Sequence, residues 1–269
     1  MLLLVTSCAQ ESETTDNSNP MASFASQTSF QNAHEEPAAF TYEGKGDYIK
    51  IPCPSGKDAN AFLIASEEKS NNYLILIHEW YGLNDFVKNE AEKFFDKYEN
   101  INVIAMDMYD GNVADNREDA SKYMRAVQEE RAQEIVNATI NYTGEQAKIA
   151  TLGWCFGGGW SLKTAINAAD KAMACVIYYG SPVETAPEIA PLKAPVLGIF
   201  AEKDKWINRD MIGKFTTLTD ATKKDFEAHW FDAEHAFANP SGGRYSEKAA
   251  QEAQLIVDKF LNKNWYSKN

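Results

Sequence analysis

The stretch Gly153-Trp154-Cys155-Phe156-Gly157-Gly158-Gly159 does most to restrict what this chain can become. It follows a short apolar, β-branched run, Lys148 to Leu152, and leads into a helix-like segment from Trp160 to Ala169. A strand that turns at once into a helix brings two backbones together, and glycines two positions to either side of Cys155 allow this without Cβ clashes. The residue at such a turn sits on a strained backbone with its side chain raised above the sheet. This is the pattern of a nucleophile elbow, with sulfur in place of oxygen.

The rest of the chain supplies a fold for the elbow. From Asp47 onward, strand-like runs fall at Tyr48–Ile51, Ala61–Ala65, Tyr73–Ile77, Val103–Met106, Ile149–Leu152, Ala174–Tyr178, Val196–Phe200 and Phe226–Phe231. The later runs are continuously apolar, as parallel strands covered on both faces must be. Amphipathic helical spacing marks Phe86–Tyr98, Asp119–Tyr142, Ile207–Leu218 and Ser246–Leu261. Early strands without helices between them, followed by βα repetition, predict an α/β fold of the α/β-hydrolase type, a mostly parallel central sheet with helices on both faces. With 269 residues, 44% of them hydrophobic, the chain can bury one large core.

The N-terminus reads differently. Met1-Leu2-Leu3-Leu4-Val5-Thr6-Ser7-Cys8 resembles the end of a bacterial lipoprotein signal, with Cys8 as the lipidated residue. Its four consecutive apolar residues fall short of the usual ~7–15 and no basic residue precedes them, so the expectation is a start upstream of Met1. Residues 9–45, rich in Ser, Thr, Asn, Gln and Ala, read as a disordered linker, which leaves 46–269 as the folded domain. The expected location is the bacterial envelope, as a periplasmic or surface lipoprotein, with a soluble cytoplasmic protein as the alternative. Membrane contact is expected only through the anchor, since no run approaches ~18 apolar residues.

The net charge of −13 argues against nucleic acid as a partner. A monomer is the default, and the sequence requires no cofactor. Cys175, inside Met173–Ile177, reads as a core residue, Cys53 has no obvious partner, and no Cys/His spacing suggests a metal site.

A cysteine nucleophile needs a base, and in α/β-hydrolases the chain order is nucleophile, acid, histidine. Of four histidines, only His229 and His235 follow Cys155. His235 lies in the loop after the last strand, at the carboxyl end where open sheets place their sites, whereas His229 lies within that strand. The orienting acid should follow Val196–Phe200, which favours Asp204 over Glu202.

Together, His78-Glu79-Trp80-Tyr81-Gly82, the Cys155 elbow, Asp204 and His235-Ala236-Phe237 resemble the dienelactone hydrolase family over residues 47 to 263. The resemblance implies a Cys155-Asp204-His235 triad and a glutamate, Glu79, close to the thiol, with a small-molecule ester or lactone as substrate. Glu79 is expected to keep the thiol protonated at rest and to take its proton when substrate arrives. The oxyanion hole is expected from the backbone N–H of Phe156 and, by the resemblance, of Trp80. Tyr81, Trp154, Tyr109, Trp206 and Phe237 flank the strand ends and are candidate pocket walls. The family's two substrate-carboxylate arginines are missing: Asp107–Asn112 holds none, and Asn239 stands four residues after His235. Dienelactone itself is therefore not the expected substrate. Two other readings remain at this level: a broad carboxylesterase or acyltransferase on carbohydrate or lipid esters, and a non-catalytic, envelope-anchored binding protein.

Overall fold

The computed structural model describes residues 20–266. Eight strands form one sheet: β1 (Asp47–Ile51), β2 (Ala59–Ile64), β3 (Asn72–Ile77), β4 (Asn102–Met106), β5 (Lys148–Trp154), β6 (Ala172–Tyr178), β7 (Val196–Ala201) and β8 (Phe226–Phe231). Their order is β1-β2-β4-β3-β5-β6-β7-β8, antiparallel at β1/β2 and β2/β4 and parallel elsewhere. All eight expected runs become strands. The fully buried β4 and β7 have the continuous apolar sequence required of strands covered on both sides, while β1 and β8 close the edges and are partly exposed.

The order reverses at β3: the chain leaves β3 for β4 on one side, and β5 then returns to the other side. Loops leaving β3 and β5 therefore diverge and open a crevice at their carboxyl ends, the usual ligand position in such sheets. Both the Glu79 loop and Cys155 lie there.

Nine α-helices occur among the described residues. Two precede the sheet, α1 (Pro20–Ala25) and α2 (Thr28–Asn32). The others are α3 (Asp85–Lys97), α4 (Arg117–Ala126), α5 (Glu129–Tyr142), α6 (Phe156–Ala168), α7 (Ala186–Ile189), α8 (Arg209–Thr222) and α9 (Glu247–Asn264). Asparagine side chains cap α3, α4 and α8: Asn84, Asn116 and Asn208 each accept backbone N–H bonds. The single helix expected over Asp119–Tyr142 is two, because Val127 adopts extended backbone and ends α4.

The linker expected over 9–45 is corrected for its described part. Residues 20–34 form α1 and α2 and pack onto the domain, with Met21, Ala25 and Phe30 buried. Helices of 6 and 5 residues cannot persist alone, being far below the ~12–15 residues an isolated helix needs. Tertiary contacts hold them. The Ser121 hydroxyl of α4 donates to Ala25 O at 2.8 Å, and the Gln31 amide donates to the same carbonyl at 2.9 Å. Cys8 and the signal-like residues 1–8 lie outside the described residues. Among those described, no helix is long and apolar enough to cross a membrane.

Candidate active site

Cys155 sits between β5 and α6 with φ 53° and ψ −117°, a conformation that L residues rarely adopt. Close packing enforces it. A Cβ on Gly153 would lie 2.0 Å from Gly157 O, and one on Gly157 would lie 2.2 Å from Ile77 O and 2.4 Å from His78 O. The glycines thus seat the start of α6 directly against the end of β3. No side chain caps α6, so its first N–H groups and its dipole face the thiol. The same approach brings the loop carrying Trp80 beside Phe156, the two residues expected to supply oxyanion N–H groups.

His235 and Asp204 come from the loops after β8 and β7. Those loops are tied together: Glu202 N–H donates to Phe231 O at 2.9 Å, and Lys203 N–H to Ala233 O at 3.0 Å. Asp204 Oδ1 accepts from the Trp206 and Ile207 N–H groups at 2.9 and 3.0 Å, which aims Oδ2 at His235 Nδ1, 2.6 Å away. An ionised carboxylate can only accept, so Nδ1 carries the proton. Nε2 then faces Cys155 Sγ at 3.2 Å. Burial opposes the imidazolium more than any single neighbour favours it, yet Asp204 and Cys155 together, through charge and hydrogen bonds, lift His235 well above its ordinary pKa. Burial pushes the Cys155 thiol up, with His235 pulling the other way. Asp204 is also buried, but His235 and the two N–H bonds hold its carboxyl below the usual range.

The rival residues stand elsewhere. Glu202 pairs with Arg209 and His229 with Glu227, both on exposed surface. His78 has a positioning place: its Nδ1 donates to Glu79 O at 2.7 Å and its Nε2 accepts from Met108 N–H at 3.0 Å, clamping the loops after β3 and β4.

Glu79 is near the thiol but not bonded to it among the described residues. Its Oε2 accepts from Asn239 Nδ2 at 3.2 Å, so the asparagine at the missing-arginine position holds the glutamate. Burial pushes Glu79 up to about 7, partly offset by that bond. Glu79, Tyr81, Phe86, Trp154, Asn239 and Pro240 line a cleft. Of the other expected walls, Tyr109 donates to Trp80 O at 3.3 Å and packs on Phe156, Trp206 lies edge-on to His235 at 5.8 Å, and Phe237 is buried against Tyr179 and Phe231.

The N-terminal segment supplies residues that the sequence reading placed in a linker. Phe30 is fully buried with its ring 5.2 Å from Trp80, 5.1 Å from Trp206 and 5.9 Å from His235. His34 stacks on Trp80 at 4.9 Å and approaches His235 at 5.4 Å, and the Tyr81 hydroxyl donates to Glu35 O at 2.7 Å. Cys155 has no exposed surface beneath this cover. His34 Nδ1 donates to Phe30 O at 2.8 Å, while its Nε2 is buried without a partner among the described residues, a state that costs about 1–3 kcal/mol. Burial first, and then the His235 charge, push His34 down to about 3. His34, Cys155 and His235 form a group able to hold a metal ion, each offering one ligand atom within 4.8 Å of the others. The i, i+4 pair Phe30/His34 was the available signal, too short to stand out from a polar segment.

A family model described as "Dienelactone hydrolase family" matches residues 59–264. A putative carboxymethylenebutenolidase of Aquifex aeolicus is 30% identical over 210 residues, covering 74% of this chain and 90% of that protein. Protein usf of Aquifex pyrophilus is 33% identical over 159 residues, covering 55% of this chain and 68% of that one. Among solved structures, a putative dienelactone hydrolase from Klebsiella pneumoniae superposes with a TM-score of 0.70 at 18% identity, covering 81% of this chain and 98% of that one, a likeness of fold. By the length of the family match and the cover of its relatives, the chain belongs to the dienelactone hydrolase family and is a carboxylic ester hydrolase.

Proposed function

We propose that Cys155 is the nucleophile of this hydrolase, His235 its base and acid, and Asp204 the residue that orients and charges His235. The observation that carries this reading is the continuous line from Asp204 Oδ2 to His235 Nδ1 at 2.6 Å and from Nε2 to Cys155 Sγ at 3.2 Å. The thiol proton moves to Nε2 as sulfur bonds the acyl carbon, and the carbonyl π pair moves onto oxygen. The N–H groups of Phe156 and Trp80 stabilise that oxyanion. Its collapse breaks the C–O bond, and the imidazolium protonates the departing oxygen. Water then gives a proton to Nε2 while its oxygen bonds the acyl carbon. The C–S bond breaks and sulfur takes the proton back, closing the cycle with acid and alcohol, or a hydroxy acid from a lactone.

Glu79 acts as a charge beside the thiol. Its carboxylate opposes a second negative charge and keeps Cys155 protonated until substrate draws His235 into the reaction. The proton acceptor is His235 rather than Glu79, because the nitrogen and not the carboxylate is bonded to sulfur. The substrate is an ester or lactone without the carboxylate of dienelactone, since Asn239, standing where the family has an arginine, is engaged with Glu79. The aromatic walls Tyr81, Phe86 and Trp154 suit an apolar acyl or alcohol group. A panel of p-nitrophenyl esters tests the proposal: wild type hydrolyses them, Cys155→Ala does not, and hydrolysis surviving Cys155→Ala refutes the nucleophile.

A further inference from the structure

We propose that His34, Cys155 and His235 form a site for a thiophilic divalent cation such as Zn2+, and that its occupancy silences the hydrolase. One ligand atom from each residue lies within 4.8 Å of the other two, and all three residues are buried. Tetrahedral zinc, with Zn–S near 2.3 Å and Zn–N near 2.0–2.1 Å, sets its ligand atoms about 3.3–3.6 Å apart. Cys155 Sγ and His235 Nε2, at 3.2 Å, are already close to that separation.

The outer partners fit as well. A metal-bound imidazole uses one nitrogen for the cation and donates the other N–H to a carboxylate or backbone carbonyl. His235 donates from Nδ1 to Asp204, and His34 donates from Nδ1 to Phe30 O, so in each ring Nε2 is the nitrogen left for the cation, which displaces any proton held there. His34 Nε2 is also a buried atom without a hydrogen-bond partner among the described residues. A cation answers it, and one thiolate with two neutral imidazoles is the ligand set of a borderline-soft metal, leaving a fourth position for water. On binding, Cys155 loses its thiol proton to solvent and donates a sulfur lone pair to the cation, with no change of oxidation state.

The bound cation occupies both reacting atoms. Sulfur cannot attack and Nε2 cannot accept a proton. It also ties the N-terminal segment, which carries His34, to the body of the domain. The silencing rests on Cys155 and His235 being the reacting groups, whereas binding itself does not.

Full chain stripped with a chelator and titrated with Co2+ tests the site. The expected result is a thiolate-to-cobalt charge-transfer band with tetrahedral d–d bands, saturating at one equivalent and displaced by Zn2+. Cys155→Ala should lose the charge-transfer band. His34→Gln and His34→Phe should weaken binding on the order of tenfold or more. In the ester assay, the Zn2+ concentration that halves each protein's own metal-free rate should rise by the same factor in both His34 variants, and chelator should restore the rate. Circular dichroism identifies any variant that does not fold. Absence of the thiolate band in wild type, or wild-type affinity in both His34 variants, overturns the site. Intact cobalt spectra in a protein whose hydrolysis survives Cys155→Ala would leave the site standing while refuting the nucleophile.

Discussion

At the residue scale, the strained Cys155 turn and the hydrogen bonds of Asp204 set a thiol and an imidazole face to face. Asp204→Asn keeps the shape but loses the charge that favours the imidazolium, and turnover of p-nitrophenyl esters should fall by about 10³- to 10⁴-fold. Retention of more than a tenth of wild-type turnover would remove Asp204 from the mechanism. Glu79 yields a sharper test. Its carboxylate opposes the thiolate, so Glu79→Gln should speed alkylation of Cys155 by iodoacetamide at pH 8. Burial raises Glu79 to about 7, so the group is charged above that pH and neutral below it. The variant-to-wild-type alkylation ratio should therefore be largest above pH 7 and approach one below about pH 6. A ratio independent of pH argues against this electrostatic role. The elbow, Asp204 and His235 were legible because chain order and loop position narrow them. Asn239 as the partner of Glu79 was not, because the two are far apart in sequence and meet only through tertiary packing.

At the element scale, two close approaches decide access and geometry. Gly157→Ala would place a Cβ 2.2 Å from Ile77 O, backbone that cannot swing aside. Overpacking of this kind costs about 1–3 kcal/mol or more, so the melting temperature should drop on the order of 5–10 °C and hydrolysis should fall with it. The N-terminal segment behaves differently, since its short helices depend on the rings they touch. Burial of Phe30 contributes roughly 1.5–3 kcal/mol to holding that segment down. Phe30→Ala should raise the exposed population, and with it Cys155 alkylation, by about 10- to 100-fold, with little change in the melting temperature of the domain. An unchanged alkylation rate would mean that the segment does not control access. All eight strands could be read from apolar runs, because strand periodicity is a local property. The two N-terminal helices could not, because their polar composition describes the chain while their burial belongs to its partner surface.

At the scale of the whole molecule, long-range polar ties join the antiparallel edge to the parallel sheet. Arg131 on α5 donates to Lys57 O and Asp58 O in the turn between β1 and β2, each at 2.8 Å, and to Asp110 Oδ1 after β4 at 2.7 Å. Burial works against the Asp110 charge, but Arg131 and Lys57 outweigh it and hold its carboxyl below the ordinary carboxylate range. Its folded pKa thus lies below the unfolded one, and its stabilisation is present above the unfolded value and lost as pH falls through the folded value. Asp110→Asn should lower the urea midpoint at pH 7, and the two midpoints should converge as the pH falls below about 3.5. Parallel curves at all pH values would show that Asp110 contributes nothing through its charge. By itself the sequence determined the α/β alternation, the cysteine at a glycine-flanked turn and the order in which Asp204 and His235 follow it, because these depend on local periodicity, glycine spacing and chain direction. Only the tertiary structure decided that residues 20–34 lie over Cys155, that His34 joins Cys155 and His235 in one buried group, and that Asn239 holds Glu79. These contacts join residues dozens to more than a hundred positions apart, and packing rather than local pattern selects them.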